Sequence, residues 1–204
     1  MKRILVLGAT GLFGKNLVNK LLENYNYEII AISRHCKDVY TNKDRLIAVN
    51  KDATKEEDLN SVMNGIDVVY CAISGESLPI VAEKLLKIMP LHNVSRLILM
   101  GAVGIYNEIP ANLDDDDNIR NNEEQIPNLE AVEKIENSYL NYTIIRPGYL
   151  QDGDENDYVL TFKGSLAKGF ESTISSVINL ALKLIDNDNL YSRCNLSITK
   201  NQRV

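Results

Sequence analysis

Apolar positions along the chain follow two periodicities that take turns. Short apolar-rich runs, Ile4–Leu7, Glu28–Ile32, Leu46–Val49, Val68–Cys71, Arg96–Met100 and Tyr142–Arg146, have the length and β-branched content of buried strands. Between them apolar residues recur every three or four positions: Leu17, Val18, Leu21 and Leu22 in a stretch ending near Glu23, then Glu56–Met63, Pro79–Leu91 and Leu129–Ser138. Strands that alternate with helices predict an α/β fold, a mostly parallel sheet with helices on both faces. Right-handed crossovers then give a doubly wound strand order of 3-2-1-4-5-6.

After Pro147 the pattern changes to a strand-like Tyr158–Phe162, an amphipathic helix over Ile174–Ile185 and a last strand near Cys194–Ile198. Residues 149–204 are too few to bury a core of their own, so residues 1–204 are expected to form one domain with a small C-terminal segment capping the crevice. No internal repeat is visible.

The turn after the first strand carries the chemistry. It runs Gly8-Ala9-Thr10-Gly11-Leu12-Phe13-Gly14, three glycines spaced Gly-x-x-Gly-x-x-Gly between a strand and a helix. The first permits the tight turn, the second lets backbone amides approach a pyrophosphate, and the third lets helix and strand pack closely. In that context the segment predicts a Rossmann-type dinucleotide site, with the pyrophosphate at the helix N-terminus. The alternative is a glycine turn that binds nothing.

Cofactor choice is expected at the end of the second strand, where NAD-binding chains place an acid against the ribose hydroxyls. Ser33-Arg34 stands there instead. A guanidinium attracts a 2′-phosphate that a carboxylate would repel, which favours NADP(H) over NAD(H). The other reading of Arg34 is an ordinary surface arginine at a strand end.

Composition narrows the field. The chain has 204 residues, 45% hydrophobic and 25% charged, with a net charge of −6, so a basic nucleic-acid groove is not expected and an anionic cofactor needs local donors. Cys36, Cys71 and Cys194 are odd in number and widely spaced, which suggests neither a disulfide framework nor a zinc site. No leader and no apolar run long enough for a membrane span is visible, which gives a cytoplasmic protein as the expectation. The run Asp114-Asp115-Asp116-Asp117 lacks the ligand spacing of a cation loop and is expected to be an extended, solvated segment, a candidate mobile lid.

With these residues in view, the chain resembles the atypical short-chain dehydrogenases, especially the NmrA-like and flavin or biliverdin reductase-like NAD(P)H-binding proteins. The resemblance covers nearly the whole chain and adds Asp52-Ala53-Thr54, Asp67 to Ala72, Arg96 to Met100 and Tyr142 to Gly148 to the glycine motif and Ser33-Arg34. It implies that Thr10, Gly11, Leu12 and Phe13 surround the pyrophosphate and that Arg34 meets the 2′-phosphate, with Gly8, Gly14 and Ser33 completing the cofactor-binding set. It further implies that Asp52 and Ala53 border the adenine, that Cys71, Ala72 and Ile73 line the ribose nearest the nicotinamide, and that Pro147, Gly148 and Tyr149 lie near the ring. Arg146 is otherwise a strand-end arginine paired with a local carboxylate.

The departures from the family pattern carry equal weight. Members with acid–base chemistry place serines after the fifth strand and a Tyr-x-x-x-Lys pair later. Here the strand ends Met100-Gly101-Ala102, and Glu130 stands four residues before Lys134. Tyr106 is the one nearby phenol, a catalytic candidate or an ordinary loop aromatic. His35, beside Arg34, reads as a phosphate partner or a solvated histidine, and His92 as a helix cap.

This leaves direct hydride transfer to a flavin- or quinone-like acceptor, which takes its proton from water. The alternatives are an NADP(H)-sensing regulator of NmrA type, which would act on a protein partner without chemistry, and a sugar-nucleotide epimerase or dehydratase.

Overall fold

The computed structural model describes residues 1–23, 26–113 and 115–201. Its strands are β1 Lys2–Leu7, β2 Tyr27–Ser33, β3 Leu46–Asn50, β4 Val68–Cys71, β5 Arg96–Met100, β6 Asn141–Pro147, β7 Tyr149–Gln151, β8 Val159–Phe162, β9 Glu171–Thr173 and β10 Cys194–Thr199. The helices are α1 Leu12–Glu23, α2 Cys36–Val39, α3 Glu56–Val62, α4 Leu78–Leu91, α5 Ile126–Glu136 and α6 Ile174–Asp186.

Eight strands form one sheet in the order β3-β2-β1-β4-β5-β6-β10-β8, parallel except where β8 runs against β10. The 3-2-1-4-5-6 core is the one the periodicity predicts. Its register follows burial: Ile4 pairs with Ile29 on one side and Val68 on the other, so fully buried residues are stacked along the centre of the sheet.

Alternation along β1 then divides the core. Ile4 and Val6 face α1 and α6 with Leu17, Leu21, Tyr70, Val177 and Leu184, while Leu5 and Leu7 face α3, α4 and α5 with Leu59, Val81, Leu85, Val132 and Ile135. Each such side chain contributes roughly 1.5–3 kcal/mol by leaving water. Helices on both faces are therefore what two-sided apolar strands require.

Two differences from the sequence pattern stand out here. Helix α5 begins at Ile126, ahead of Leu129, because Pro127 occupies its first turn, where a missing N–H costs nothing. The C-terminal segment contributes to the sheet itself. Its β10 and β8 widen the main sheet and α6 packs against α1, leaving the short β7–β9 pair at the carboxyl edge. Thr173 caps α6 by accepting from the Ser176 N–H at 3.0 Å.

The acidic run is folded where an extended segment was expected. Asp115–Asp117 make a 3-10 turn, and the next residue, Asn118, is completely buried. Asn118 clamps Ile109 with both ends of its amide, accepting from the N–H at 3.1 Å and donating to the carbonyl at 2.8 Å. Arg120 pairs with Asp115, and Asn122 donates to Asp117, so the carboxylates meet donors as well as one another. Asp114 lies outside the described residues.

Candidate functional site

The carboxyl ends of the parallel strands line up across one edge of the sheet, and that edge has two unlike halves. On the β1–β2–β3 side the three glycines build a cradle. Gly8 has φ +73°, and a side chain there would stand 2.9 Å from the Ala72 carbonyl on the neighbouring strand end. At Gly14 a Cβ would overlap the Gly8 carbonyl, so the third glycine is what lets α1 start directly against the strand. The first-turn amides of α1, at Leu12 and Phe13, stand at the helix N-terminus, where orphan N–H groups favour an anion.

Beside this cradle is a cavity of about 430 Å³ whose lining includes Gly8, Thr10, Ser33, Arg34, Asp52, Ala53 and Ile73. The structure thus brings together seven of the residues expected at the cofactor from four strand ends. Gly11, Leu12, Phe13 and Gly14 belong to the adjoining turn. Cys71 is fully buried, and burial pushes its thiol up to about 12, so it frames the edge through its backbone and not as an exposed thiol. His35 lines the same cavity with its ring exposed, 3.6 Å from Asp38.

The cavity also contains residues to which the sequence assigned no site role: Lys51, Thr54, Ser74 and Ser77. Their signal was positional, since each follows the end of β3 or β4, where ligands bind in open α/β sheets. Asp52 accepts from the Thr54 hydroxyl at 2.7 Å and its N–H at 3.0 Å, and these bonds hold its carboxyl below the usual range. Lys51 sits 2.8 Å from Asp58, whose other oxygen accepts from the Asp52 N–H at 2.9 Å.

The β5–β6 half is built differently. Gly101 donates to the Ile145 carbonyl at 2.8 Å and Val103 to that of Pro147 at 2.9 Å, which zips the strand ends together. Gly148 donates to the Ser172 hydroxyl at 2.7 Å and lies so close under the Phe170 carbonyl that a Cβ would overlap it. Tyr149, exposed, stacks on Phe170 with ring centroids 6.1 Å apart.

Arg146 is 1% exposed and pairs with Glu108, itself buried, while its Nε donates to Asn195 at 2.7 Å. It is the strand-end arginine with a local carboxylate. Tyr106 donates to Glu136 at 3.1 Å and accepts from Asn195 at 3.0 Å. Burial and the Glu136 charge raise its pKa. His92 occupies the C-cap of α4, its ring 2.8 Å from Asn60.

A larger cavity of about 800 Å³ lies between α1, α6 and residues 151–155. Its wall includes Glu23 and Asn26, which flank two residues outside the described set. Among the described residues no cluster of three or more His, Cys, Asp or Glu side chains is arranged to hold a metal, and no helix is long and apolar enough to cross a membrane.

Comparison with known proteins agrees with this geometry. A family model described as NAD(P)H-binding matches residues 8–188. An NmrA-like family domain-containing protein of Dictyostelium discoideum is 31% identical over 80 residues, which take in 37% of this chain and 26% of that protein. A Rossmann-fold NAD(P)-binding family protein from Shigella flexneri superposes with a TM-score of 0.84 at 28% identity, covering 100% of this chain and 98% of its own. A short-chain dehydrogenase/reductase from Veillonella parvula, solved in complex with NADP, shares the fold at a TM-score of 0.85 and 20% identity over 98% and 94% of the two chains.

Proposed function

The chain belongs to the NAD(P)H-binding family, and from that premise we propose that it is an NADPH-dependent oxidoreductase that passes hydride to a flavin- or quinone-like acceptor. The observation that carries the cofactor half is the cavity where Arg34, His35 and Lys51 converge in a chain of net charge −6. The glycine cradle, the α1 N-terminus and the donors around that cavity fit a dinucleotide with an extra phosphate.

When bound, the reduced nicotinamide supplies the hydride. The protein's part is to hold and orient. Gly8 and the α1 amides take the pyrophosphate, Ser33 and Arg34 the ribose phosphate, and Asp52 the adenine edge. Ala72 and Ile73 would border the ribose nearest the ring, and the Pro147-Gly148 turn the ring itself. Met100-Gly101-Ala102 offers no hydroxyl, and the Tyr106 phenol is committed to Glu136 and Asn195. An acceptor that delocalises the incoming charge and draws its proton from water suits such an edge.

The commitment of Tyr106 also favours a second reading, a non-catalytic NADP(H) sensor. Titration with NADPH and NADH by fluorescence, followed by addition of a flavin or a quinone while nicotinamide absorbance is monitored, separates the two. NADPH preference with acceptor-dependent oxidation supports the reductase. Tight binding without turnover over a panel of acceptors supports the sensor, and failure to bind either nucleotide removes both.

A further inference from the structure

We propose that Lys51 is a second cation for the 2′-phosphate of the ribose, working beside Arg34; this rests on the NADP(H) reading above. The sheet puts the two together. Ser33 is paired with Asn50 across β2 and β3, and the Lys51 N–H donates to the Ser33 carbonyl at 3.0 Å, so Arg34 and Lys51 are the next residues out on neighbouring strand ends. Both line the same cavity.

Lys51 is also held in place. Its ammonium donates to Asp58 at 2.8 Å, and Asp58 is fixed in turn by the Asp52 N–H. The Lys51 side chain is 28% exposed, so it lies against the cavity wall and does not sweep through solvent. An ammonium has three donors. One is spent on Asp58, which leaves two for a phosphate.

Charge balance supports the same assignment. Among the described residues Arg34 forms no ion pair, and the Asp52 carboxylate accepts from the Thr54 hydroxyl and N–H. Of the charged side chains that line the cavity, Arg34 and Lys51 are cations and Asp52 is a carboxylate, with Asp58 behind Lys51, so a 2′-phosphate meets two cations on a lining that carries one acid. Arg34 supplies a planar fork and Lys51 a point charge, two complementary ways of meeting phosphate oxygens. A lysine that served only to brace the β3–α3 turn would leave nucleotide choice unaffected.

The test uses adenosine 2′,5′-bisphosphate and 5′-AMP, which differ only in the 2′-phosphate, measured by titration calorimetry on the whole chain. Wild type is expected to bind the bisphosphate more tightly. Lys51→Gln is expected to weaken the bisphosphate about tenfold and AMP less than twofold, with Lys51→Arg recovering most of the loss. Unchanged AMP affinity also reports that the variant is folded. Equal weakening of both ligands by K51Q, or no weakening of either, overturns the assignment. A wild type that does not distinguish the two ligands removes the NADP(H) reading itself, and Lys51's role with it.

Discussion

The two halves of the carboxyl edge are made of opposite materials. At β1–β3, charged and hydroxyl side chains converge on an open cavity, with Arg34 exposed and Lys51 and Asp52 half-buried. At β5–β6, polar groups are turned inward and spent on the protein itself: Arg146 on Glu108, Tyr106 on Glu136, Gly148 on Ser172. One half is organised to meet a ligand's charge. The other is organised to stay rigid while presenting little chemistry of its own. Substitutions in the first should therefore change binding at little cost in stability, and substitutions in the second the reverse.

The largest expected effect comes from the buried ion pair. Glu108→Gln leaves the Arg146 charge buried without its counter-ion, which should cost about 3–5 kcal/mol of stability in urea unfolding. NADPH affinity of the protein that remains folded should change little. A loss below about 1 kcal/mol would mean that this half is not held by the pair, and the comparison would fail at its strongest point.

Arg34→Gln is the mirror experiment. Its guanidinium is exposed, so stability should hold within about 0.5 kcal/mol. NADPH binding should weaken about tenfold by fluorescence titration while NADH binding stays put, and raising salt should shrink the difference. Equal loss of both nucleotides would mean that Arg34 contributes to the cavity in some way other than charge.

These two sites also differ in how far the sequence revealed them. Gly8, Gly14, Ser33 and Arg34 announce themselves because their requirements are local: a turn, a close contact, a charge at a strand end. The six-strand order followed from unbroken apolar runs for the same reason, since two-sided burial admits few topologies.

Lys51 was hidden because its meaning depends on the register that sets it beside Ser33. Tyr106 stayed ambiguous because its partners, Glu136 and Asn195, are 30 and 89 residues away. Asn118 was invisible inside a polar run, yet its double bond to Ile109 turned an expected extended segment into a folded one. Strands β8 and β10 were legible as segments, but their joining the main sheet depends on pairing that no local pattern encodes.

A middle-sized effect is expected at Tyr106. Removing its hydroxyl in Tyr106→Phe takes a partner from both Glu136 and Asn195 and should cost about 1 kcal/mol of stability. NADPH oxidation by a flavin or quinone should stay within twofold of wild type. A fall of a hundredfold or more in kcat, with stability retained, would make the phenol a proton donor and give the inward-turned half a chemistry of its own.

The smallest effect belongs to the open half and is read from pH. Asp58 is held below its ordinary carboxyl range, first by its bond from Lys51 and then by the Asp52 N–H. A carboxyl whose folded pKa is depressed stabilises the fold above its unfolded value, near pH 3.9, and loses that contribution as pH falls through the folded value. The pair is partly exposed, so the contribution should be less than about 1 kcal/mol and should shrink in salt. Asp58→Asn should therefore lower neutral stability by less than about 1 kcal/mol and flatten the acid limb of the stability curve below about pH 4. If neutral stability instead falls by several kcal/mol, the Lys51–Asp58 pair is a structural clamp comparable to Arg146–Glu108, and the two halves of the edge are more alike than their exposure indicates.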